Sequence, residues 1–254
     1  MWPRLGPVPM YGVFYFSGII CHFFIAYYLA KRFRFRHRVW ITVSICYMMG
    51  MTVGAKALFD LQHSQLDFWP LLSAKHYMEG GLWGGLLAYF CMSVPLVLLL
   101  SHRKRAALDL VAVSTPIPWI FAKLGCLFNG CCYGKACSMP WAITFPEGAR
   151  DAPVGIPLHP TQIYEILVVL CILVVFMLLK RRWGSGTMLL WFLALYGLGR
   201  AITEIWRGDT EHHLCVGPLT LSQIICLAAA GISILVLCLH RYLSRLTKPD
   251  KVLI

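Results

Sequence analysis

Seven apolar runs, each long enough to cross a lipid bilayer, dominate the chain and limit what it can fold into. A bilayer core of about 30 Å is spanned by about 20 apolar residues in an α-helix. Backbone polar groups inside a bilayer must bond within the chain, so such runs fold as helices. We therefore predict an all-α, polytopic membrane protein in which residues 1–254 form one domain. The predicted spans are residues 10–30, 39–59, 81–101, 107–129, 163–179, 187–206 and 219–239.

The composition agrees with a membrane protein and not with a soluble domain. Hydrophobic residues make up 59% of the chain and charged residues only 13%, with a mean hydropathy of +0.68. Soluble domains carry about 25% charged residues. The net charge of +12 does not indicate nucleic-acid binding, because the basic residues stand in short clusters between the apolar runs.

The basic clusters occur in every second connection between spans. Fifteen of the 23 basic residues lie in these connections, and only four lie in the others. Because Lys and Arg concentrate in cytoplasmic loops, we predict a periplasmic N-terminus and a cytoplasmic C-terminus. The connections 60–80 and 130–162 then face outward. The basic segments are 31–38, 103–105, 180–182 and 241–251.

A stripe of polar residues runs through the sixth predicted span. Tyr196, Arg200, Glu204 and Arg207 are spaced by four, four and three residues, which places them on one helical face. A charge inside a bilayer costs about 2.5–3.5 kcal/mol, so such residues are functional candidates. Glu204 is placed to bridge the two arginines. The stripe is either a structural ion pair or a site for an anionic headgroup, since guanidinium groups match phosphate oxygens.

The fourth span ends in a segment that combines a lysine, an asparagine and glycines. Lys123 lies deep in the apolar run, and the helix is predicted to break at Gly130. Asn129 offers both a donor and an acceptor, and glycines such as Gly134 let the backbone approach a ligand closely. Lys123 either contributes to a binding site or only extends its ammonium group to the interface.

Four cysteines lie in and after the same segment, at Cys126, Cys131, Cys132 and Cys137. Their outward-facing position permits disulfides. Their spacing matches no common zinc motif. We therefore favour structural thiols or one disulfide over a metal site, and we predict no bound metal.

Two titratable residues stand where predicted spans begin. Glu79 precedes the Gly-rich start of span three and is either a solvated interfacial acid or a base. His159 opens the run His-Pro-Thr-Gln-Ile-Tyr-Glu at the start of span five. It is either a structural donor at a helix end or a proton acceptor, since histidine is well suited to proton transfer near neutral pH.

These segments together resemble the bacterial prolipoprotein diacylglyceryl transferase family over nearly the whole chain. The most specific part is the run 159–165 followed by the polar stripe of span six. The other matching segments are Tyr11-Gly12, residues 79–84, residues 125–134, Pro140-Trp141-Ala142 and Phe145-Pro146.

The resemblance implies an enzyme of the bacterial inner membrane that moves the diacylglyceryl group of phosphatidylglycerol to the thiol of a prolipoprotein's lipobox cysteine. Glycerol phosphate leaves, a thioether forms, and no cofactor is implied. Cationic side chains would stabilise the departing phosphate. A base would help to form the attacking thiolate.

The resemblance also implies roles for particular residues. Arg200 and Arg207 would hold the phosphate with help from Lys123, and Glu204 would orient the two arginines. Glu79 or His159 would accept the proton from the thiol. The other residues expected to line the substrate site are Tyr11, Asn129, Gly134, Gln162 and Tyr196.

The chain departs from the family pattern at the centre of this expected site. The family signature Gly-Arg-x-x-Asn-Phe-x-Asn-x-Glu reads Ala-Lys-Leu-Gly-Cys-Leu-Phe-Asn-Gly-Cys at residues 122–131, and Glu79 replaces a histidine. The chain is either a divergent transferase or a paralogue that binds the lipid and serves another acceptor or none. A thiol-redox protein is a third class, but adjacent cysteines differ from the Cys-x-x-Cys pattern of such proteins.

The charge asymmetry generates a test of orientation. A membrane-impermeant thiol reagent applied from outside is expected to label a cysteine placed in the 130–160 connection and not one placed at Phe35. Permeabilised cells serve as the control, because both positions are then reached. Labelling of the Phe35 position in intact cells would reverse the predicted topology.

Overall fold

The structure, a computed structural model, is a bundle of helices and describes residues 4–5, 8–57, 82–209, 215–216 and 218–246. The helices in these ranges are α1 (Met10–Arg32), α2 (His37–Met49, continued by a π-helical segment, Gly50–Gly54), α3 (Leu82–Leu100), α4 (Lys104–Ser114), α5 (Pro116–Asn129), α6 (Thr161–Leu178), α7 (Met188–Thr203) and α8 (Leu221–Leu246). Short 3₁₀ turns follow α6 at Lys180–Arg182 and α7 at Glu204–Trp206. The short strands are β1 (Arg4–Leu5), β2 (Val8–Pro9), β3 (Ile143–Thr144), β4 (Pro157–Leu158), β5 (Cys215–Val216) and β6 (Leu219–Thr220), paired antiparallel as β1–β2, β3–β4 and β5–β6.

Every predicted span coincides with helix in the described part of the chain. Six stretches there are long and apolar enough to cross a membrane, and Leu82–Leu100 is a further apolar helix. The third stretch consists of α4 and α5 together, which meet where Pro116 begins α5. The predicted all-α, polytopic class is confirmed. The six stretches are Met10–Arg32, His37–Ala57, Lys104–Asn129, Thr161–Leu178, Met188–Trp206 and Leu221–Leu243.

Large apolar side chains cover the outside of the bundle as well as its core. Phe24, Leu99 and Leu178 are 65%, 82% and 77% exposed in the isolated chain. Such exposure is unfavourable in water, whereas lipid tails cover these side chains at no cost. The bundle interior is filled by a separate set of buried residues that includes Tyr89, Leu110, Val169, Ile172 and Phe192.

The helices α5, α6 and α7 converge on the region that holds the polar residues. α6 packs against both α5 and α7, α1 packs against α5, and α8 packs against α7. At the opposite end of the bundle, the Asp109 carboxylate accepts hydrogen bonds from the backbone N–H groups of Gly184, Gly186 and Met188. This contact joins α4 to the start of α7 and so fixes the placement of the polar stripe along the bundle.

The connection between α5 and α6 folds over the ends of these helices. The β3–β4 pair and the bridge between Phe145 and Val154 give the connection regular structure. A small apolar core of Leu127, Phe145, Ala152 and Leu158 lies beneath it. The connection thus covers the polar residues at this end of the bundle.

Candidate active site

The site begins where α5 ends, because the chain turns back over the last helical turn. Gly130 takes a left-handed conformation, with φ of 73°, and its N–H donates to the Cys126 carbonyl. Glycine adopts this conformation without steric cost, so the predicted helix break at Gly130 is confirmed. The Cys131 N–H donates to the same carbonyl, at 3.2 Å, which holds the next residues above Cys126.

The first residues of α6 hold the turn from the other side. The Thr161 hydroxyl donates to the Cys132 carbonyl at 2.6 Å, and the Gln162 amide donates to the Cys131 carbonyl at 2.7 Å. Both side chains are almost fully buried. Gln162 was predicted to bind substrate, and the structure places it as a support for the backbone of the cysteine turn.

Gly134 brings three segments of backbone together. Its N–H donates to the His159 carbonyl at 3.0 Å, and it pairs with Arg207 in a β-bridge. A Cβ atom at this position would lie 2.8 Å from the Trp206 carbonyl oxygen, closer than real Cβ contacts allow. Gly134 was predicted to let the backbone approach a ligand closely. In the structure, the groups that approach it closely are the backbone atoms of His159 and Trp206.

Glu165 is the centre of a buried ionic cluster. Its Oε1 atom lies 2.8 Å from Lys123 Nζ, 3.6 Å from Arg200 Nη1 and 3.7 Å from Arg207 Nη1. The Tyr196 hydroxyl donates to Oε2 at 3.4 Å. These side chains are nearly inaccessible to solvent, so Lys123 does not extend its ammonium group to the surface. One carboxylate on α6 therefore joins cations from α5, from α7 and from the segment that follows α7.

Glu204 adds a second carboxylate, as the sequence spacing predicted. Its Oε2 atom lies 2.5 Å from Arg200 Nη1 and 3.9 Å from Arg207 Nε, so Glu204 lies between the two arginines. The prediction that all four polar residues lie on one helical face is wrong for Arg207. The α-helix ends at Thr203 and a 3₁₀ turn follows, so Arg207 reaches the cluster from outside the helix.

Asp209 is a further partner of Arg207. Its carboxylate accepts hydrogen bonds from Nε, at 2.7 Å, and from Nη2 in a two-point contact. Asp209 is 22% exposed, whereas the other carboxylates of the cluster are buried. Each of the three cations therefore contacts at least one carboxylate, and the carboxylate nearest to solvent is that of Asp209.

Sequence reasoning did not identify Glu165 and Asp209 as site residues. Glu165 ends the 159–165 run and lies only a few residues inside an apolar span, which by the same rule used for Arg200 marks it as unusual. Asp209 lies beyond the predicted span, and the sequence holds no comparable signal for it.

Three thiols lie beside the ionic cluster. The Sγ atoms of Cys126, Cys131 and Cys132 are all within 4.8 Å of one another, and the three cysteines are free thiols. The Asn129 amide donates to the Cys131 sulfur at 3.7 Å, and Tyr11 on α1 lies near the same thiols. Hydrogen bonds from the Cys126 and Cys131 thiols, together with the cations of Lys123 and Arg207, hold the pKa of the Cys132 thiol well below its usual range.

Of the two predicted proton acceptors, the structure describes His159 and not Glu79. His159 contacts aromatic side chains: its Nδ1 atom lies 2.9 Å from the Tyr164 hydroxyl, and Trp206 lies beside the ring. The Trp141 indole donates to the same hydroxyl at 2.9 Å, so Tyr164 joins the side chains of His159 and Trp141. Glu79 lies outside the described residues.

Comparison with known proteins identifies the family of the chain. The model of the prolipoprotein diacylglyceryl transferase family matches residues 4–239. The chain belongs to this family. It is 28% identical over 241 residues to a phosphatidylglycerol–prolipoprotein diacylglyceryl transferase of Geobacter sulfurreducens, with 87% of each chain covered. A protein of the same name from Clostridium tetani is 37% identical over 138 residues, covering 53% of each chain. Another from Desulfotalea psychrophila is 26% identical over 249 residues, covering 87% of this chain and 85% of its own.

The buried cluster is the candidate active site, because it unites residues predicted as site residues from two separate spans. Lys123 comes from the fourth predicted span and Tyr196, Arg200, Glu204 and Arg207 from the sixth, and the structure brings them together around Glu165.

Replacement of the central carboxylate tests the cluster directly. Glu165→Gln is expected to lower the stability of the protein, because removing one partner of a buried ion pair typically costs about 3–5 kcal/mol. The measurement is thermal unfolding of the detergent-purified protein. Glu147→Gln, which changes an exposed glutamate of the α5–α6 connection, is the matched control. Unfolding of Glu165→Gln at the wild-type temperature would show that the cluster does not depend on Glu165.

Proposed function

We propose that this chain transfers the diacylglyceryl group of phosphatidylglycerol to the thiol of a lipobox cysteine in a prolipoprotein. The observation that carries the proposal is the buried set of three cations around Glu165, next to a turn rich in thiols. The names of the relatives state the same donor and acceptor for those proteins.

The charge balance of the cluster suits a phosphodiester. Lys123, Arg200 and Arg207 supply three positive charges, and Glu165 and Glu204 supply two negative charges, which leaves one net positive charge in the buried part. A phosphodiester carries one negative charge and would neutralise it. Asp209 holds the place nearest to solvent, so the lipid phosphate is expected to replace Asp209 as the partner of Arg207.

The proposed reaction increases the negative charge on the phosphate. The substrate thiolate attacks the glyceryl carbon that carries the phosphate oxygen, the carbon–oxygen bond breaks, and a carbon–sulfur bond forms. The electron pair stays on the departing oxygen, so the leaving glycerol phosphate gains a second negative charge. Fixed cations stabilise such developing charge more strongly in a site closed to water.

The thiol proton requires an acceptor, for which Glu79 and His159 are the candidates. A carboxylate and an imidazole both serve as general bases. His159 is tied to Tyr164 at the edge of the described site, so it would act from the side of the α5–α6 connection. Glu79 stands where the family pattern has a histidine, and this position in the sequence favours Glu79 as the base.

The second candidate function is a lipid-binding paralogue without this transfer. The changes at Lys123, Cys126 and Cys131 within the family signature favour it, because they alter the site while the arginines remain. Such a protein would bind phosphatidylglycerol at the same cluster and leave a lipobox peptide unmodified.

The chain is a multi-pass membrane protein. We place it in the bacterial inner membrane, with the α5–α6 connection and the ionic cluster on the periplasmic side. This orientation puts the site where the cysteine of a secreted prolipoprotein arrives, and it follows from the basic residues at the opposite ends of the helices.

Arg200→Ala tests the function. The purified variant in phosphatidylglycerol vesicles is expected to modify a lipobox peptide at least about 10²-fold more slowly, as loss of one electrostatic donor in a transition state typically costs 10²–10³ in rate. Mass spectrometry of the peptide measures the thioether product. Arg181→Ala, which removes an arginine from the turn after α6, is the control and is expected to keep the wild-type rate. A wild-type protein that binds the lipid but modifies no peptide would support the paralogue instead.

Glu79→Gln and His159→Gln distinguish the two proton acceptors. Each change keeps hydrogen-bonding capacity but removes the ability to accept the proton at neutral pH. The variant of the true base is expected to lose about 10²–10⁴ in rate, with little change in lipid binding. Single-turnover rates and vesicle binding are measured side by side. Two variants that both transfer at the wild-type rate would exclude both residues as the base.

A further inference from the structure

The thiols of Cys126, Cys131 and Cys132 lie close enough together to bind one metal ion, a property for which the ionic cluster has no use. Zinc–sulfur bonds of about 2.3 Å place three thiolates about 4 Å apart around one ion. The Sγ atoms of Cys126, Cys131 and Cys132 already lie within 4.8 Å of one another, so small side-chain rotations bring them to that separation. The spacing in sequence matches no common zinc motif because the turn at Gly130, not a hairpin or finger, brings the thiols together.

The backbone is arranged to present these thiols. Cys132 takes a left-handed conformation, with φ of 58°, which non-glycine residues rarely adopt. Hydrogen bonds from Thr161 and Gln162 to the carbonyls of Cys132 and Cys131 hold the turn in place. Strained backbone that is fixed in this way concentrates at functional sites. The observation is independent of the distances between the sulfur atoms.

We propose that Cys126, Cys131 and Cys132 bind one Zn²⁺ ion as thiolates, and that the substrate thiol occupies the fourth position. Zinc prefers four ligands in a tetrahedron, and sites with three protein ligands leave one position open for water or substrate. Soft thiolate ligands select thiophilic ions such as zinc or Cu(I). Cu(I) is satisfied by three thiolates, whereas zinc requires the fourth ligand that the reaction supplies.

The charges of the two clusters are opposite when zinc is bound. Three thiolates and Zn²⁺ carry one net negative charge, and the buried ionic cluster carries one net positive charge. Lys123 and Arg207 of that cluster lie close enough to Cys132 to interact with it electrostatically. The net charge of the ionic cluster therefore offsets that of the zinc-bound thiolates.

The zinc ion would activate the acceptor thiol. This step rests on the proposed function. A thiol bound to zinc loses its proton, which passes to the base, and the thiolate is the nucleophile. Its sulfur forms the bond to the glyceryl carbon, the carbon–oxygen bond breaks, and the electron pair stays on the phosphate oxygen. The product is a neutral thioether, a weaker ligand, which leaves the zinc and reopens the fourth position.

Metal binding is tested with the full-length protein, purified in detergent under reducing conditions and stripped by a chelator. One zinc per chain is expected for the wild type and for Cys137→Ser, the matched control in the same connection. Cys131→Ser is expected to bind zinc at least about 10²-fold more weakly, since even outer partners of metal ligands contribute 10- to 100-fold. The triple Cys126→Ser, Cys131→Ser, Cys132→Ser variant is expected to bind none. Equal zinc contents in the wild type and a folded triple variant would overturn the site.

The open position is tested by cobalt substitution. Co²⁺ in place of zinc gives visible and charge-transfer absorption that reports its ligands. A lipobox peptide is expected to change this spectrum in the wild type, and the same peptide with serine in place of cysteine is not. An identical spectrum with both peptides would refute a substrate thiol on the metal.

Transfer assays separate this inference from the proposed function. Zinc-loaded protein is expected to modify the lipobox peptide faster than metal-free protein. Equal rates with and without zinc would overturn the activating role and leave the transferase function standing. Absence of transfer in both forms, with the cobalt spectrum still responding to the cysteine peptide, would overturn the transferase function and leave the thiol-binding zinc site standing.

Discussion

The organisation of this end of the molecule depends on one buried carboxylate surrounded by three cations. A lone charge in a low-dielectric interior is expensive, and removing one partner of a buried pair leaves the others uncompensated. Glu165 lies within 4 Å of Lys123, Arg200 and Arg207, which come from α5, from α7 and from the segment after α7. These helices must therefore keep their relative positions, because any displacement would separate opposite charges where water cannot replace them.

The α5–α6 connection makes this arrangement possible at the end of a membrane bundle. Its backbone bonds to residues after α7, as in the contact between the Gly208 N–H and the Tyr133 carbonyl and that between the Lys135 N–H and the Trp206 carbonyl. These bonds satisfy polar groups that would otherwise be exposed near the bilayer. They also cover the cations from outside, so the charges are closed to water at the end of the bundle.

The sequence predicted the spans well because a bilayer permits little besides helices of about 20 apolar residues. The break at Gly130 and the position of Glu204 between the arginines were also predictable, since both depend on neighbouring residues. The pairing of Lys123 with Glu165 was not, because the two residues are 42 positions apart and meet only through packing of α5 on α6. The displacement of Arg207 from the helix depends on a 3₁₀ turn that spacing alone does not reveal.

The two clusters of the site have complementary charge, and their adjacency has a physical consequence for the proposed reaction. During transfer, one negative charge moves from the attacking sulfur to the departing phosphate oxygen, while the total charge stays constant. Lys123 and Arg207 interact with Cys132 on one side and contact Glu165 on the other. Cations that lie beside both clusters stabilise negative charge on either group without moving. The thiol turn and the ionic cluster therefore act as one preorganised environment, and neither could shift away from the other without loss to both.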